Sequence, residues 1–102
     1  MLKVKIVEYV DDWQPGWVKC TFKDVYEKDW LIIEKVPVVS EEYLLKDSSY
    51  PTTGVVGCEI ISRTFNPENK IILTINIEKP WGITEVNGNS IFEVFDEQVI
   101  EG

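Results

Sequence analysis

Short segments that alternate hydrophobic and polar residues recur along this chain. Residues 2–10 place leucine, valine and isoleucine on one side and lysines on the other, which is the two-residue period of a half-buried strand. Residues 11–16 contain a proline and a glycine that favour a turn, and the alternation resumes over residues 17–23. The first two strands are therefore predicted to form a hairpin.

The middle of the chain contains a third strand, a helical turn and a long fourth strand. Residues 30–33 form an uninterrupted apolar run, which predicts a strand buried on both faces. Residues 40–45 hold the one helical pattern, because a serine able to cap a helix is followed by two glutamates. Residues 54–65 predict a long strand with a bulge or a tight bend at Gly57.

The last part of the chain predicts three further strands. Residues 70–79 alternate isoleucine and leucine with polar residues and form the clearest amphipathic strand, which a turn at residues 66–69 joins to the preceding strand. Residues 83–86 and 91–95 predict two shorter strands on either side of an Asn-Gly hairpin signal. The chain beyond residue 95 is expected to be loosely docked.

Six or seven short strands with a single helical turn predict an all-β protein. The expected architecture is a small antiparallel β-barrel or a curled sandwich. A length of 102 residues fits one domain, which would span residues 1–102.

The charge balance is strongly acidic and limits the partners that the chain would attract. Eighteen acidic residues against ten basic ones give a net charge of −8. Nucleic-acid phosphates and anionic membranes should be repelled on average, whereas basic partners should be attracted. The chain also lacks the apolar stretch of a signal peptide and the roughly 20 apolar residues of a membrane span. These features predict a soluble, cytoplasmic protein.

Catalytic chemistry is poorly supported. The chain has no histidine, which removes the commonest general base and the commonest metal ligand. The acidic pairs do not match a calcium-binding loop, and no serine lies in a nucleophile motif. Cys20 and Cys58 fall within apolar alternation without a CxxC spacing, as is typical of buried thiols in a reducing compartment. The sequence predicts no metal, no cofactor and no enzymatic activity.

Two glutamates keep a carboxylate-dependent activity open. Glu8 continues the inward side of the first strand if the alternation holds, and Glu34 likewise falls within a predicted strand. An inward carboxylate is expected either to pair with a cation or to have a raised pKa. Glu8 and Glu34 are therefore candidates for a small-ligand site or an enzyme. The alternative is that the alternation slips near the strand end and Glu8 is solvated.

The tryptophans indicate a binding surface. Trp13 and Trp17 flank a Gln-Pro-Gly turn, and Trp81 lies in a Pro-Trp-Gly turn. Tryptophan is enriched among interface hot spots. Together with the neighbouring Asp11 and Asp12, these residues predict an acidic, aromatic partner-binding surface. The alternative is that the tryptophans plug the open ends of a barrel.

A nucleic-acid-binding barrel is a further alternative. Lys3, Lys5, Lys19 and Lys23 fall on the polar sides of the first two strands and would line one outward face of a sheet. A net charge of −8 disfavours this interpretation.

Several segments of the chain resemble a family of small bacterial all-β proteins without an assigned activity. The segments are WQPGWVKCTF (13–22), EKVPVV (34–39), YP (50–51), VGCE (56–59) and PWGI (80–83). The likeness spans nearly the whole chain and implies a bacterial, cytoplasmic source. In size and acidity the chain is also similar to immunity proteins that neutralise basic toxin nucleases.

The sequence as a whole predicts a non-enzymatic protein-binding module. Its more specific form is an immunity-type inhibitor whose partner has a basic surface. Neither a membrane nor a nucleic acid is the expected partner, and self-association through an exposed edge strand is left open.

Overall fold

A computed structural model describes residues 1–101 and contains seven strands, one short helix and a 3₁₀ turn. In chain order these are β1 (Leu2–Asp11), β2 (Trp17–Lys23), β3 (Asp29–Lys35), α1 (Val36–Val39), β4 (Thr52–Val56), β5 (Glu59–Phe65), β6 (Ile71–Asn76), β7 (Ile91–Phe95) and the 3₁₀ turn (Asp96–Gln98). The prediction of an all-β protein is confirmed.

The strands form two antiparallel sheets. The first sheet has the strand order β3-β2-β1-β4, and the second has the order β5-β6-β7. The strand ladders of residues 1–101 do not close on themselves, so the predicted barrel is not confirmed. The total of seven strands, four in one sheet and three in the other, agrees with the predicted six or seven.

Each sheet contributes one face to a single hydrophobic core. The alternation predicted for β6 is confirmed, because every second side chain of that strand points into this core. The buried residues of the core include Leu2, Val4, Ile6, Val18, Cys20, Phe22, Ile32, Leu73, Ile75, Ile77, Phe92 and Val94.

The chain passes from the first sheet to the second at Gly57 and Cys58. The sequence predicts one strand over residues 54–65, but the structure has two strands, β4 and β5, in different sheets. A Cβ atom at Gly57 would lie 2.9 Å from the ring of Trp81, so the indole packs directly on the backbone at this point. The predicted bend at Gly57 is present, and it separates the two sheets.

The helix lies earlier in the chain than the sequence predicts. It occupies Val36–Val39, whereas residues 40–45 are irregular. Pro37 lies in the first helical turn, where its missing N–H removes no helical hydrogen bond. The N–H of Ser40 donates to the carbonyl of Val36 at 3.0 Å, so Ser40 ends this helix and does not begin another. No helix within residues 1–101 is long and apolar enough to cross a membrane.

Two predicted features near β3 are wrong. Ile32 is buried but Leu31 and Ile33 are exposed, because only one face of the first sheet is covered by the second. Residues 83–86 do not form a strand; the N–H of Val86 instead donates to the carbonyl of Leu31 at 2.9 Å. The uninterrupted apolar run in β3 therefore does not mark a strand with two covered faces.

The chain beyond residue 95 is docked more firmly than predicted. Val99 forms an isolated antiparallel bridge with Leu2. The N–H of Ile100 donates to the carbonyl of Met1 at 2.8 Å. These bonds extend the hydrogen bonding of β1 beyond the end of β2.

Candidate partner-binding surface

The turn between β1 and β2 holds three of the predicted partner-binding residues. Oδ1 of Asp11 accepts a hydrogen bond from the N–H of Trp13 at 2.8 Å, and the N–H of Gly16 donates to the carbonyl of Trp13 at 2.8 Å. The Gln14-Pro15 peptide bond is cis, and Gly16 has a φ of +98°, which favours glycine. The two hydrogen bonds fix the backbone of the turn from which Trp13 projects.

Trp13 lies among acidic and aromatic side chains. Its side chain is 74% exposed, and that of Tyr43 is 87% exposed. A Cβ atom at Gly16 would collide with the Tyr9 hydroxyl, so Tyr9 packs on this turn. Burial raises the pKa of Tyr9, and Asp12, Tyr43 and Asp11 raise it further. We call Tyr9, Asp11, Asp12, Trp13 and Tyr43 the Trp13 tip.

The Trp13 tip surrounds a shallow depression and not an enclosed pocket. The depression has a volume of about 370 Å³ and is lined by Tyr9, Val10, Asp11, Asp12 and Lys46. Lys46 is the one cation in this lining. An exposed indole beside an open depression is a geometry suited to a protein surface, because small ligands are usually bound in concave sites that cover most of their area.

Trp17 and Trp81 both lie near Lys35. Trp17 is opposite Lys35 and Asp11 in the strand ladders, and the Lys35 ammonium lies 5.3 Å from the centre of the Trp17 ring. Trp81 is 44% exposed and lines a groove of about 490 Å³ together with Lys35. The row formed by Asp11, Trp17 and Lys35 connects the Trp13 tip to this groove along the end of the first sheet.

Glu8 does not face the core. The register of β1 shifts between Ile6 and Glu8, and this irregularity turns Glu8 towards the solvent side of the sheet. Its Oε1 atom lies 2.9 Å from the Nζ atom of Lys19. The expected inward position is therefore wrong, and the alternative of a solvated Glu8 is observed.

Glu34 lies on the covered side of β3 but at the end of that strand. It is opposite Val18, whose side chain is buried, and it is itself half-buried. Its Oε1 atom accepts a hydrogen bond from the N–H of Lys35 at 3.0 Å. Glu34 also lines the groove beside Trp81, so its carboxylate borders an open surface and not a closed pocket.

The four lysines predicted to share a face do so. Lys3 and Lys5 of β1 and Lys19 and Lys23 of β2 alternate with buried residues, and they lie on the uncovered face of the first sheet. Both lysines of β2 have a carboxylate oxygen within 3.5 Å. Half of this cationic set is therefore paired with acidic side chains of the same face.

Asp24 is a buried carboxylate that sequence reasoning missed. It is 8% exposed and follows β2 directly. Oδ1 accepts hydrogen bonds from the N–H groups of Tyr26 at 2.8 Å and Lys28 at 3.0 Å, and Oδ2 accepts one from the indole nitrogen of Trp30 at 2.9 Å. An aspartate at the start of a polar turn is the signal that would have indicated this role.

Glu85 is a second buried carboxylate that was missed. It is 2% exposed and accepts hydrogen bonds from the N–H groups of Asn87 at 3.0 Å and Asn89 at 2.9 Å, and from the side-chain amide of Asn89 at 2.6 Å. Burial acts to raise the pKa of Glu85, but these hydrogen bonds and the charge of Lys28 lower it below its ordinary value. The carboxylate of Glu85 therefore accepts its hydrogen bonds from its own turn. Among residues 1–101, no three potential metal ligands come together.

No protein-family model, curated protein or solved structure matches this chain. The resemblance to small bacterial proteins and the likeness to immunity proteins stay predictions from the sequence. The Trp13 tip is the feature from which a function is inferred.

Proposed function

We propose that this chain is a non-enzymatic protein-binding module that binds a basic partner through the Trp13 tip. The observation that carries the proposal is the side chain of Trp13, which is 74% exposed while hydrogen bonds fix its backbone. An exposed tryptophan on a preformed turn loses little conformational freedom on binding and buries a large apolar area. Such a side chain is suited to be the anchor of an interface.

The charge of the Trp13 tip favours a partner with a basic surface. Asp11 and Asp12 precede Trp13, and the whole chain has a net charge of −8. Opposite charges accelerate the encounter of two proteins and orient them before contact. Lys46 is the only cation in the lining of the depression, so an approaching basic surface meets mainly negative charge.

The more specific form of the proposal is an immunity-type inhibitor that covers the active surface of a basic enzyme in the cytoplasm. An inhibitor of this kind needs an anchor and a complementary charge, and it needs no catalytic group of its own. Asp24 and Glu85 support this form, because the buried carboxylates are occupied by hydrogen bonds from their own turns.

The test begins with capture of proteins from a lysate of the source organism. The tagged wild-type chain is compared with Trp13→Ala and with a matched control, Phe65→Ala, which removes an aromatic side chain that is 61% exposed on β5. We expect wild type and Phe65→Ala to retain the same basic protein at low salt. Trp13→Ala should lose it, and moderate salt should weaken its retention.

The captured protein is then purified and titrated by calorimetry against each variant. We expect Trp13→Ala to weaken binding by at least about tenfold, or about 1.4 kcal/mol, as for an interface anchor. Equal affinities of wild type and Trp13→Ala would refute the proposed surface. An acidic partner, or binding that does not respond to salt, would refute the proposed role of charge.

A further inference from the structure

Strand β5 has an outer edge without a partner. All seven of its residues are exposed, and β6 pairs with one edge only. In the described part of the chain, residues 59–65 make no hydrogen bond outside the ladder with β6. The free N–H and C=O groups of such an edge match those of another strand.

The other sheet edges are either interrupted by a hydrogen bond from a neighbouring segment or short. At β7, the N–H of Val25 donates to the carbonyl of Glu93 at 3.0 Å, and the hydroxyl of Tyr26 donates to the Glu93 carboxylate at 3.1 Å. At β3, the carbonyl of Leu31 accepts from Val86. Strand β4 has only five residues. The edge of β5 is therefore the longest one that no neighbouring segment interrupts.

The side chains of β5 are apolar for a strand in contact with water. Ile60 is 47% exposed, Ile61 is 50% exposed and Phe65 is 61% exposed. Edge strands are usually protected by charges, proline or bulges. β5 has a register shift between Ile60 and Ser62, but the regular segment beyond it has no such protection except Arg63.

We propose that β5 pairs with β5 of a second copy of this chain in an antiparallel arrangement. A two-fold axis perpendicular to the sheet would join two three-stranded sheets into one of six strands. Six strands is within the usual size of a sheet, whereas three is near its lower limit. The pairing covers the open edge of the regular segment and satisfies its free N–H and C=O groups.

The charge of β5 favours a second copy as the occupant. The strand contains one acidic residue, Glu59, and one basic residue, Arg63, so it is neutral in a chain of net charge −8. Two copies can meet at this strand without direct repulsion between like charges. A strongly basic partner would instead be drawn to the acidic parts of the chain.

The pairing of β5 with β6 also restricts the register of the dimer. Arg63 is opposite Leu73 and Phe65 is opposite Ile71, so Arg63 and Phe65 lie on the same face of β5. A dimer centred on Thr64 places Arg63 of each copy opposite Phe65 of the other, where a cation–π contact forms. A dimer centred on Arg63 would oppose two like charges and is disfavoured.

The test is sedimentation equilibrium of the full chain over a wide range of concentrations. We expect wild type to change from a mass of 11.8 kDa to twice that mass as its concentration rises. Phe65→Lys should weaken the dimer at least about tenfold, because it places a like charge opposite Arg63 of the other copy and removes the cation–π contact. The matched control is Ile91→Lys, since Ile91 is 58% exposed on β7 and should dimerise like wild type.

Amide hydrogen exchange provides a second measurement. The amides of β5 that are free in the monomer should become protected as the wild-type concentration rises, and they should stay unprotected in Phe65→Lys. Trp13→Ala should dimerise like wild type, which separates this surface from the Trp13 tip. The proposal is overturned if wild type stays monomeric, if Phe65→Lys and Ile91→Lys weaken the dimer equally, or if β5 binds a strand of a different protein.

Discussion

The indole nitrogen of Trp30 donates a 2.9 Å hydrogen bond to the carboxylate of Asp24 and so links the turn after β2 to the core. The Trp30 ring packs against Phe92 of the second sheet with ring centres 5.0 Å apart. The ammonium of Lys28 lies 4.1 Å from the centre of the same indole. A single buried carboxylate therefore connects the backbone of one sheet's turn to a ring that contacts the other sheet.

Replacing Asp24 by alanine should lower the free energy of unfolding by about 2–4 kcal/mol, because three donors lose a charged acceptor. Trp30→Phe removes one of these donors and keeps an aromatic ring, so it should cost less, about 1–2 kcal/mol. Urea unfolding of the three proteins checks the order. A loss for Asp24→Ala no larger than that for Trp30→Phe would mean that the backbone hydrogen bonds of the turn contribute little.

Glu85 should make the protein less stable in acid. Burial raises its pKa, but its hydrogen bonds and Lys28 lower it by more, so its pKa in the folded chain lies below its ordinary value. The unfolded chain therefore binds a proton at Glu85 more readily than the folded chain does. The stabilising contribution of Glu85 is complete above about pH 4.5 and is lost as the pH falls through the folded-state pKa. The stability difference between wild type and Glu85→Gln should shrink in acid, and a difference independent of pH would contradict this role.

Gly54 should tolerate a methyl group worse than Gly82. A Cβ at Gly54 would lie 2.7 Å from the Cδ1 atom of Ile6 and 2.8 Å from the carbonyl oxygen of Val39, which is backbone and cannot rotate away. Gly54→Ala should cost roughly 2–3 kcal/mol. Gly82 has no atom within 4 Å and a φ of +71°, so Gly82→Ala should cost only about 1 kcal/mol of backbone strain. Thermal or urea unfolding measures both losses, and the reverse order would disprove the close approach at Gly54.

The two thiols should differ in reactivity. Burial, with a smaller effect of Glu34, raises the pKa of Cys20 to about 12, whereas Cys58 is half-buried. A thiol reagent at mildly alkaline pH should label Cys58 of the folded protein quickly and Cys20 only on unfolding. Cys58→Ser should remove the fast phase, and Cys20→Ser should keep it. Equal labelling rates in the folded protein would be inconsistent with the burial of Cys20.

Trp13→Ala should change the free energy of unfolding by less than about 0.5 kcal/mol, because most of the side chain is in water. Trp30→Ala should cost about 3 kcal/mol or more, since this indole packs on the core and donates to Asp24. Urea unfolding of both variants compares the two tryptophans. A large loss of unfolding free energy in Trp13→Ala would mean that Trp13 has a structural role.

The strands could be predicted where alternation reflects a single covered face. β6 is such a case, because Leu73 and Ile75 are buried in the core while Thr74 between them is half-buried. The alternation fails at Glu8, where a register shift in β1 turns the side chain over without any local sequence mark. It also fails in β3, where Leu31 and Ile33 are apolar but exposed. Which faces are covered depends on the other sheet, and a local pattern does not contain this information.

The candidate site could be predicted only in its local part. Turn-forming residues place Asp11, Asp12 and Trp13 together, because they are adjacent in the chain. Lys46 lines the same depression as Tyr9 although the two are far apart in sequence, so no spacing rule reveals this contact. The buried Asp24 and Glu85 were missed for a related reason, since burial of a carboxylate is a property of the packed fold.

The passage between sheets at Gly57 and Cys58 divides the chain into two successive parts. Every ladder of the first sheet lies within residues 2–56, and every ladder of the second lies within residues 59–95. During translation, the ladders of the first sheet can therefore form before the second sheet has left the ribosome. Until β6 and β7 arrive, the apolar face of the first sheet is uncovered, so this interval of synthesis is when the chain is most exposed to aggregation.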